Sequence, residues 1–320
     1  MQYPKFKEME RAYGFDEVAL VPGDITVNPD QTDISFSVGT HEFQFPILAS
    51  AMDAVVSPAS AIAYGKLGGL AVLNLDGVQT RYDDPDAVLK QIAETPQSEV
   101  TALLQKLYKA PIKENLIGER IQAIKKGGVV CAASTTPANT KRLAPLAVEA
   151  GLDILVVQST VTTATHLSKS VKGLVLTELC EHIKVPVVVG NCCSYNPAIE
   201  LMRTGVAAIL VGVGPGAACT SREVLGIGVP QVSATSECAA AREAYRKESG
   251  KYVSIITDGG FRVGSDVCKA FAAGADAVMV GSPLAQAIGA PGHGYHWGMS
   301  HPHPALPRGT RVKVGSVATM

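Results

Sequence analysis

Between Gly212 and Glu223 the chain reads GVGPGAACTSRE, and this stretch carries the residue best suited to covalent chemistry, Cys219. A run of β-formers, Ala207 to Val211, leads into it, so the glycines stand where a buried strand ends and its loop begins. Gly214 and Gly216 let backbone carbonyls and amides crowd a ligand or ion beside the thiol, since no Cβ intervenes. The chemistry would be nucleophilic catalysis by a thiol. Free cysteine also serves as a small buried hydrophobe, and the loop by itself favours neither reading.

A second group of residues suits an anion. Thr257-Asp258-Gly259-Gly260 and Gly281-Ser282-Pro283 each follow an apolar run, and Ser282 as N-cap with Pro283 behind it predicts a short helix whose free amides face a phosphate. Asp258 is placed to accept hydrogen bonds from ribose hydroxyls; the plainer readings are a tight Gly-Gly turn and a helix-capping aspartate. A nucleotide satisfies all of these groups together. His293, His296, His301 and His303 cluster near the end, but no acidic or cysteine ligand accompanies them, so a metal site is not expected. Tyr295 and Trp297 predict a flap over a purine or nicotinamide, the alternative being packing against a rim.

These loops need elements to hold them. Eight apolar runs recur with helical segments between: Pro46 to Met52, Gly69 to Leu75, Gly128 to Ala133, Leu152 to Gln158, Val185 to Gly190, Ala207 to Val211, Val253 to Thr257 and Ala277 to Val280. Runs apolar on both faces and alternating with helices indicate a parallel sheet, and eight of them predict an α/β (β/α)8 TIM barrel. A doubly wound open sheet is the alternative. On the barrel reading the Cys219 loop and the two glycine turns follow strands six, seven and eight, at the catalytic end. Ile34 to Val38 and His41 to Phe45 alternate around Gly39-Thr40 and predict an N-terminal β-hairpin cap, about 33–45. Residues 76–127 read as an enlarged second crossover, about 289–320 as a C-terminal flap and tail, and 1–320 as one catalytic domain.

Composition excludes several functions. The 320 residues are 47% hydrophobic and 18% charged with net charge −1, so neither a nucleic-acid groove nor attraction to anionic lipid is expected. No apolar signal core opens the chain and no run of about 18 apolar residues occurs, which predicts a cytoplasmic protein. Seven cysteines without disulfide-scaffold spacing agree with a reducing compartment.

The same residues resemble the IMP dehydrogenase/GMP reductase family, and within it the short IMP dehydrogenase-related branch that lacks the tandem regulatory domains. The resemblance is carried by Gly14 to Pro22 (GFDEVALVP), Pro46 to Asp53 (PILASAMD), Gly190-Asn191, the Cys219 loop with Gly228 to Gln231 (GVPQ), and Thr257 to Ser282. It implies that Cys219 attacks purine C2, that Asp258 holds ribose, and that Gly259, Gly260, Gly281 and Ser282 hold phosphate. Ser50, Met52, Asp53 and Asn191 would complete the substrate site, and the carbonyls of Gly214, Gly216 and Cys219 could bind potassium. Ala217 stands where relatives often have a serine touching phosphate. Gln158 stands where relatives have an aspartate for the cofactor ribose, and loss of that charge favours NADPH over NADH. The resemblance also implies a homotetramer or octamer.

A thiolate adduct at C2 serves two reactions in such a family. IMP can give hydride to NAD and be hydrolysed to XMP, or GMP can lose ammonia and take hydride from NADPH to give IMP. The dehydrogenases carry an adjacent Arg-Tyr or Tyr-Arg pair on the flap, and none follows Ser282 here. Ser221 stands at the hydroxyl position the reductases use as proton donor. GMP reductase is therefore the favoured reading, with IMP dehydrogenase and a catalytically inactive purine-nucleotide-binding regulator as alternatives. A flavin-dependent barrel is a further possibility, because flavin phosphate uses similar turns.

Overall fold

The computed structural model describes residues 10–166, 173–298 and 311–317. Eight strands close into a parallel barrel in the order β10-β3-β4-β5-β6-β7-β8-β9. They are β3 (Ile47–Ala49), β4 (Leu70–Asn74), β5 (Ala132–Thr135), β6 (Ile154–Gln158), β7 (Val187–Cys192), β8 (Ala208–Val211), β9 (Ser254–Asp258) and β10 (Ala277–Val280). Each lies within, or within two residues of, an apolar run of the sequence. Alternate side chains divide the barrel as the two-residue period of a strand requires. Leu48, Val72, Ile154, Val156, Leu210, Ile256 and Met279 fill the interior. Ala49, Leu73, Leu155, Val189, Ile209 and Ile255 face outward into the helices.

The helices are α1 (Pro58–Lys66), α2 (Pro85–Glu94), α3 (Val100–Leu107), α4 (Glu114–Lys126), α5 (Pro137–Glu149) and α6 (Leu176–His182). After them come α7 (Tyr195–Arg203), α8 (Ser221–Leu225), α9 (Gln231–Ser249), α10 (Gly264–Ala272) and α11 (Ser282–Ala285). Their ends follow local chemistry. Ser57 Oγ accepts the Ser60 amide at the start of α1, Asp84 caps α2, and left-handed Gly250 (φ 72°) closes α9.

Before the barrel, β1 (Phe36–Val38) and β2 (His41–Phe43) form the expected hairpin in antiparallel register, Phe36 opposite Phe43. Phe36, Val38 and Phe43 pack on the interior layer, and Gly39 lies against Pro186 at the entry to β7, so the hairpin plugs the N-terminal end. The long second crossover carries α2, α3 and α4; its apolar residues Leu89, Ile92 and Leu104 form a separate cluster with Trp297. A last pair, β11 (Tyr295–His296) and β12 (Val312–Lys313), runs antiparallel. No helix among the described residues is long and apolar enough to cross a membrane.

Candidate active site

The C-terminal strand ends open on a cavity of about 700 Å³ lined by Ser50, Met52, Gln158, Asn191, Cys219, Asp258 and the two glycine turns. Its volume lies in the upper part of the usual ligand-pocket range, roughly 300–1,000 Å³. Every one of those residues follows or ends a barrel strand, which is where a (β/α)8 barrel holds its reacting groups.

Cys219 is exposed on the loop between β8 and α8. Its amide bonds to the Gly216 carbonyl at 3.0 Å, and its thiol donates to Ser221 Oγ at 3.3 Å. Exposure within the cavity removes the reading of a small buried hydrophobe. Burial instead pushes the Cys131 thiol up to about 12 and the Cys180 thiol up to about 11. The Arg222 guanidinium pins the loop, bonding the Val213 carbonyl at 3.2 Å and the Val229 carbonyl at 2.6 Å. Gln231, at the end of GVPQ, is buried and donates to the carbonyls of Val211 (2.7 Å) and Asp258 (3.1 Å), tying the ends of β8 and β9 together.

Asp258 ends β9 and caps no helix. Its Oδ2 accepts from Asn191 Nδ2 at 2.8 Å and from Gln158 Nε2 at 2.9 Å. Burial pushes its carboxyl up to about 6, and the Asn191 and Gln158 amides pull the other way. Gln158, for which a cofactor contact was expected, is drawn into this cluster on the floor of the cavity and also bonds Asn191 Oδ1 at 3.2 Å. Its Oε1 is buried with no hydrogen-bond partner among the described residues, an acceptor suited to a ligand hydroxyl or amide.

The glycine turns sit where the ends of β3, β9 and β10 converge. A Cβ on Gly281 would stand 2.9 Å from Met52 Sδ and 3.6 Å from Ser50 Oγ, so the turn after β10 packs closely on the segment after β3. Gly281, not Ser282, is the N-cap of α11, and Ser282 opens the helix itself. Ser282 Oγ lies 2.9 Å from His296 Nε2, and His296 also lines the cavity.

Three expectations are corrected. Asp53 does not line the cavity: it is 2% exposed beneath the wall, where its carboxylate accepts from the Tyr108 hydroxyl and, at 3.0 Å, from the Val78 amide. It follows Met52 on a tight turn, so the two neighbours point to opposite sides. Trp297 is no cover for a ligand, being 1% exposed and bonded through Nε1 to Tyr108 at 2.7 Å. Tyr295 is likewise turned away from the cavity, with the Arg311 guanidinium 4.2 Å over its ring. Among the described residues no three His, Cys, Asp or Glu side chains cluster as metal ligands, and His301 and His303 lie outside those residues.

Sequence reasoning weighed His296 only within a histidine cluster as a metal ligand and missed its place beside Ser282, for which its position in the GYHW stretch after the phosphate turn was the one signal. It also gave no role to Phe15, Glu17 and Arg262, which line the cavity mouth; Phe15 packs on Phe261 at 5.2 Å between ring centroids. The GFDE motif had marked that segment without saying where it goes.

A thiol, a bonded carboxylate and two glycine turns thus share one cavity at the C-terminal ends of the strands of a (β/α)8 barrel. The model of the IMP dehydrogenase / GMP reductase domain matches residues 12–300. An uncharacterized oxidoreductase of Mycolicibacterium smegmatis is 38% identical, over 95% of this chain and 83% of its own. The crystal structure of an IMP dehydrogenase/GMP reductase-like protein from Corynebacterium glutamicum superposes with TM-score 0.90 at 36% identity, covering 99% of this chain and 84% of that one. The inosine-5'-monophosphate dehydrogenase of Cryptosporidium parvum is 29% identical over 89% of this chain and 71% of its own. The chain belongs to the IMP dehydrogenase/GMP reductase family of oxidoreductases.

Proposed function

We propose that the chain is a purine-nucleotide oxidoreductase that works through a bond between Cys219 Sγ and purine C2. The observation that carries this reading is one cavity shared by the exposed thiol, the Asp258 cluster and the glycine cradle. Asp258 and Asn191 hold the ribose, and Gly259, Gly260, Gly281 and Ser282 hold the phosphate, which leaves the purine over Cys219. Ser50 and Met52 form the wall beside it. A nicotinamide cofactor supplies the two-electron exchange at C2, and the orphaned Gln158 Oε1 is the acceptor we assign to a hydroxyl or amide of ligand or cofactor. The Cys219 thiolate adds to C2; in the oxidative direction C2 gives up hydride and water then displaces the sulfur as XMP is released, and in the reductive direction ammonia leaves C2 and C2 takes up hydride before the C2–S bond breaks.

For direction we favour IMP and NAD giving XMP. The charge argument for NADPH weakens once Gln158 is seen bonded to Asp258, and the relatives named for a specific activity here are IMP dehydrogenases. GMP reductase, with NADPH, is the second reading: Ser221 Oγ, 3.3 Å from the sulfur, is near enough to protonate departing ammonia. The carbonyls of Gly214, Gly216 and Cys219 are hard oxygen donors whose chemistry suits potassium. Assembly as a homotetramer or octamer belongs to the same reading, and light scattering on the purified protein measures it.

The test is turnover with IMP plus NAD and with GMP plus NADPH, in potassium and in sodium. XMP formation, lost by more than roughly a thousandfold in Cys219→Ala while IMP binding persists, is the expected result. Substantial turnover by Cys219→Ala would refute the covalent mechanism. Consumption of GMP and NADPH alone would reverse the direction. Nucleotide binding without turnover in either assay would make the protein a regulator.

A further inference from the structure

Resting on the purine-nucleotide reading above, we propose that His296 is a positioning residue for the nucleotide phosphate, acting through Ser282. The imidazole lines the cavity beside Gly281, is 2% exposed, and holds its Nε2 2.9 Å from Ser282 Oγ. Its Nδ1 is buried with no hydrogen-bond partner among the described residues. Burial also lowers the ring's pKa from the usual histidine value.

Two independent constraints select the same tautomer. A phosphate dianion offers only acceptors, and Ser282 has one O–H to give. If that proton went to an imidazole lone pair, the hydroxyl oxygen would turn its own lone pairs toward the anion. With the proton on Nε2, the ring donates to Oγ and frees the Ser282 O–H for a phosphate oxygen. The orphaned Nδ1 points the same way, because a buried N–H without an acceptor is rarer than a buried acceptor without a donor. The result is a relay, Nε2–H to Oγ and O–H to phosphate, in which the first bond strengthens the second.

The ring is held for this task from both sides. Trp297, next in the chain, is locked by its bond to Tyr108, and β11 pairs His296 with Val312 of β12. On the Ser282 side, Gln286 at the end of α11 donates to the Val314 carbonyl at 3.2 Å, which ties the helix to the strand pair.

Binding of IMP and of inosine, which lacks the phosphate, to wild type, His296→Phe and His296→Gln tests the relay. His296→Phe should lose roughly tenfold or more in IMP affinity with inosine affinity unchanged. His296→Gln, whose Nε2 amide can donate at the same place, should recover most of the loss. In a Ser282→Ala background His296→Phe should have no further effect on IMP. Equal losses for IMP and inosine, no rescue by glutamine, or additive effects with Ser282→Ala would each overturn the proposal. Should His296→Phe fail to fold, the glutamine variant and its combination with Ser282→Ala decide alone, additivity again being the refuting result. Wild-type protein that binds no purine nucleotide would sink the purine reading and this inference with it, an outcome distinct from all the others.

Discussion

At Asp258 two side-chain amides do for a carboxylate what water does outside the protein, and they do it incompletely. Burial leaves its carboxyl up at about 6, so the group titrates in the working range. The sign follows: above about 6 the carboxylate accepts ribose hydroxyls, and below it protonation removes acceptor capacity. Inosine affinity should therefore fall as pH drops through about 6, and inosine is the right probe because a phosphate's second ionisation, also near 6, is absent. Gln158→Glu would put a second carboxylate in hydrogen-bond range of Asp258 in place of a donor. The two would share a proton, and the break should move up by more than about one unit. Titrations of both proteins from pH 5 to 8 check this, and coincident profiles would contradict it. Cys219, Asp258 and the glycine turns were legible in the sequence because glycine pairs after apolar runs mark strand ends. Asp53 was not, since nothing in PILASAMD says which of two adjacent residues on a turn faces inward.

Among the elements, the layer of α2 and α3 takes up a residue the sequence had assigned to a flap. Trp297 joins their apolar cluster, and the bonds Trp297 to Tyr108 to Asp53 run from the segment after β11 to the turn after β3. The partners Trp297 and Tyr108 lie 189 residues apart, a separation that no local pattern encodes. The strands themselves were legible, because each is buried on both faces and reads as an apolar run. Asp53 makes this anchor sensitive to pH. Burial pushes it up to about 6, against the hydrogen bonds from Tyr108 and Val78 and the Arg81 charge. With an unfolded value near 3.9, folding is unpenalised below about pH 4, loses stability as pH rises to about 6, and stays lower above it. That loss amounts to about 3 kcal/mol. Asp53→Asn cannot ionise, so its stability relative to wild type should improve by up to that amount between pH 4.5 and 7.5. Denaturant unfolding at both values measures it, and a difference that does not change with pH would show that Asp53 ionises as freely in the fold as in the unfolded chain.

Across the whole molecule the barrel separates stability from chemistry by its two ends. The catalytic end carries glycine turns, a buried carboxylate and an exposed thiol. The opposite end is closed by β1 and β2, whose Phe36 and Phe43 rings stack 6.4 Å apart and join the interior layer with Leu48, Leu70 and Val188. Between them lies the ring of eight strands, closed where β10 pairs with β3, Val278 opposite Ile47. Both ends were readable as elements, yet the register of closure depends on pairing residues some 230 positions apart, which an apolar run cannot specify. Removing either ring should leave a cavity in the interior layer and cost about 3–5 kcal/mol. Because the strands between are fully buried and close-packed, that damage should stay at the floor. Phe36→Ala and Phe43→Ala should therefore lower the denaturant midpoint markedly, while IMP affinity, measured well below the melting temperature, stays within about twofold of wild type. Loss of IMP affinity in step with stability would mean that the hairpin holds the strand ends around Cys219 and Asp258, and that the two ends of the barrel act as one.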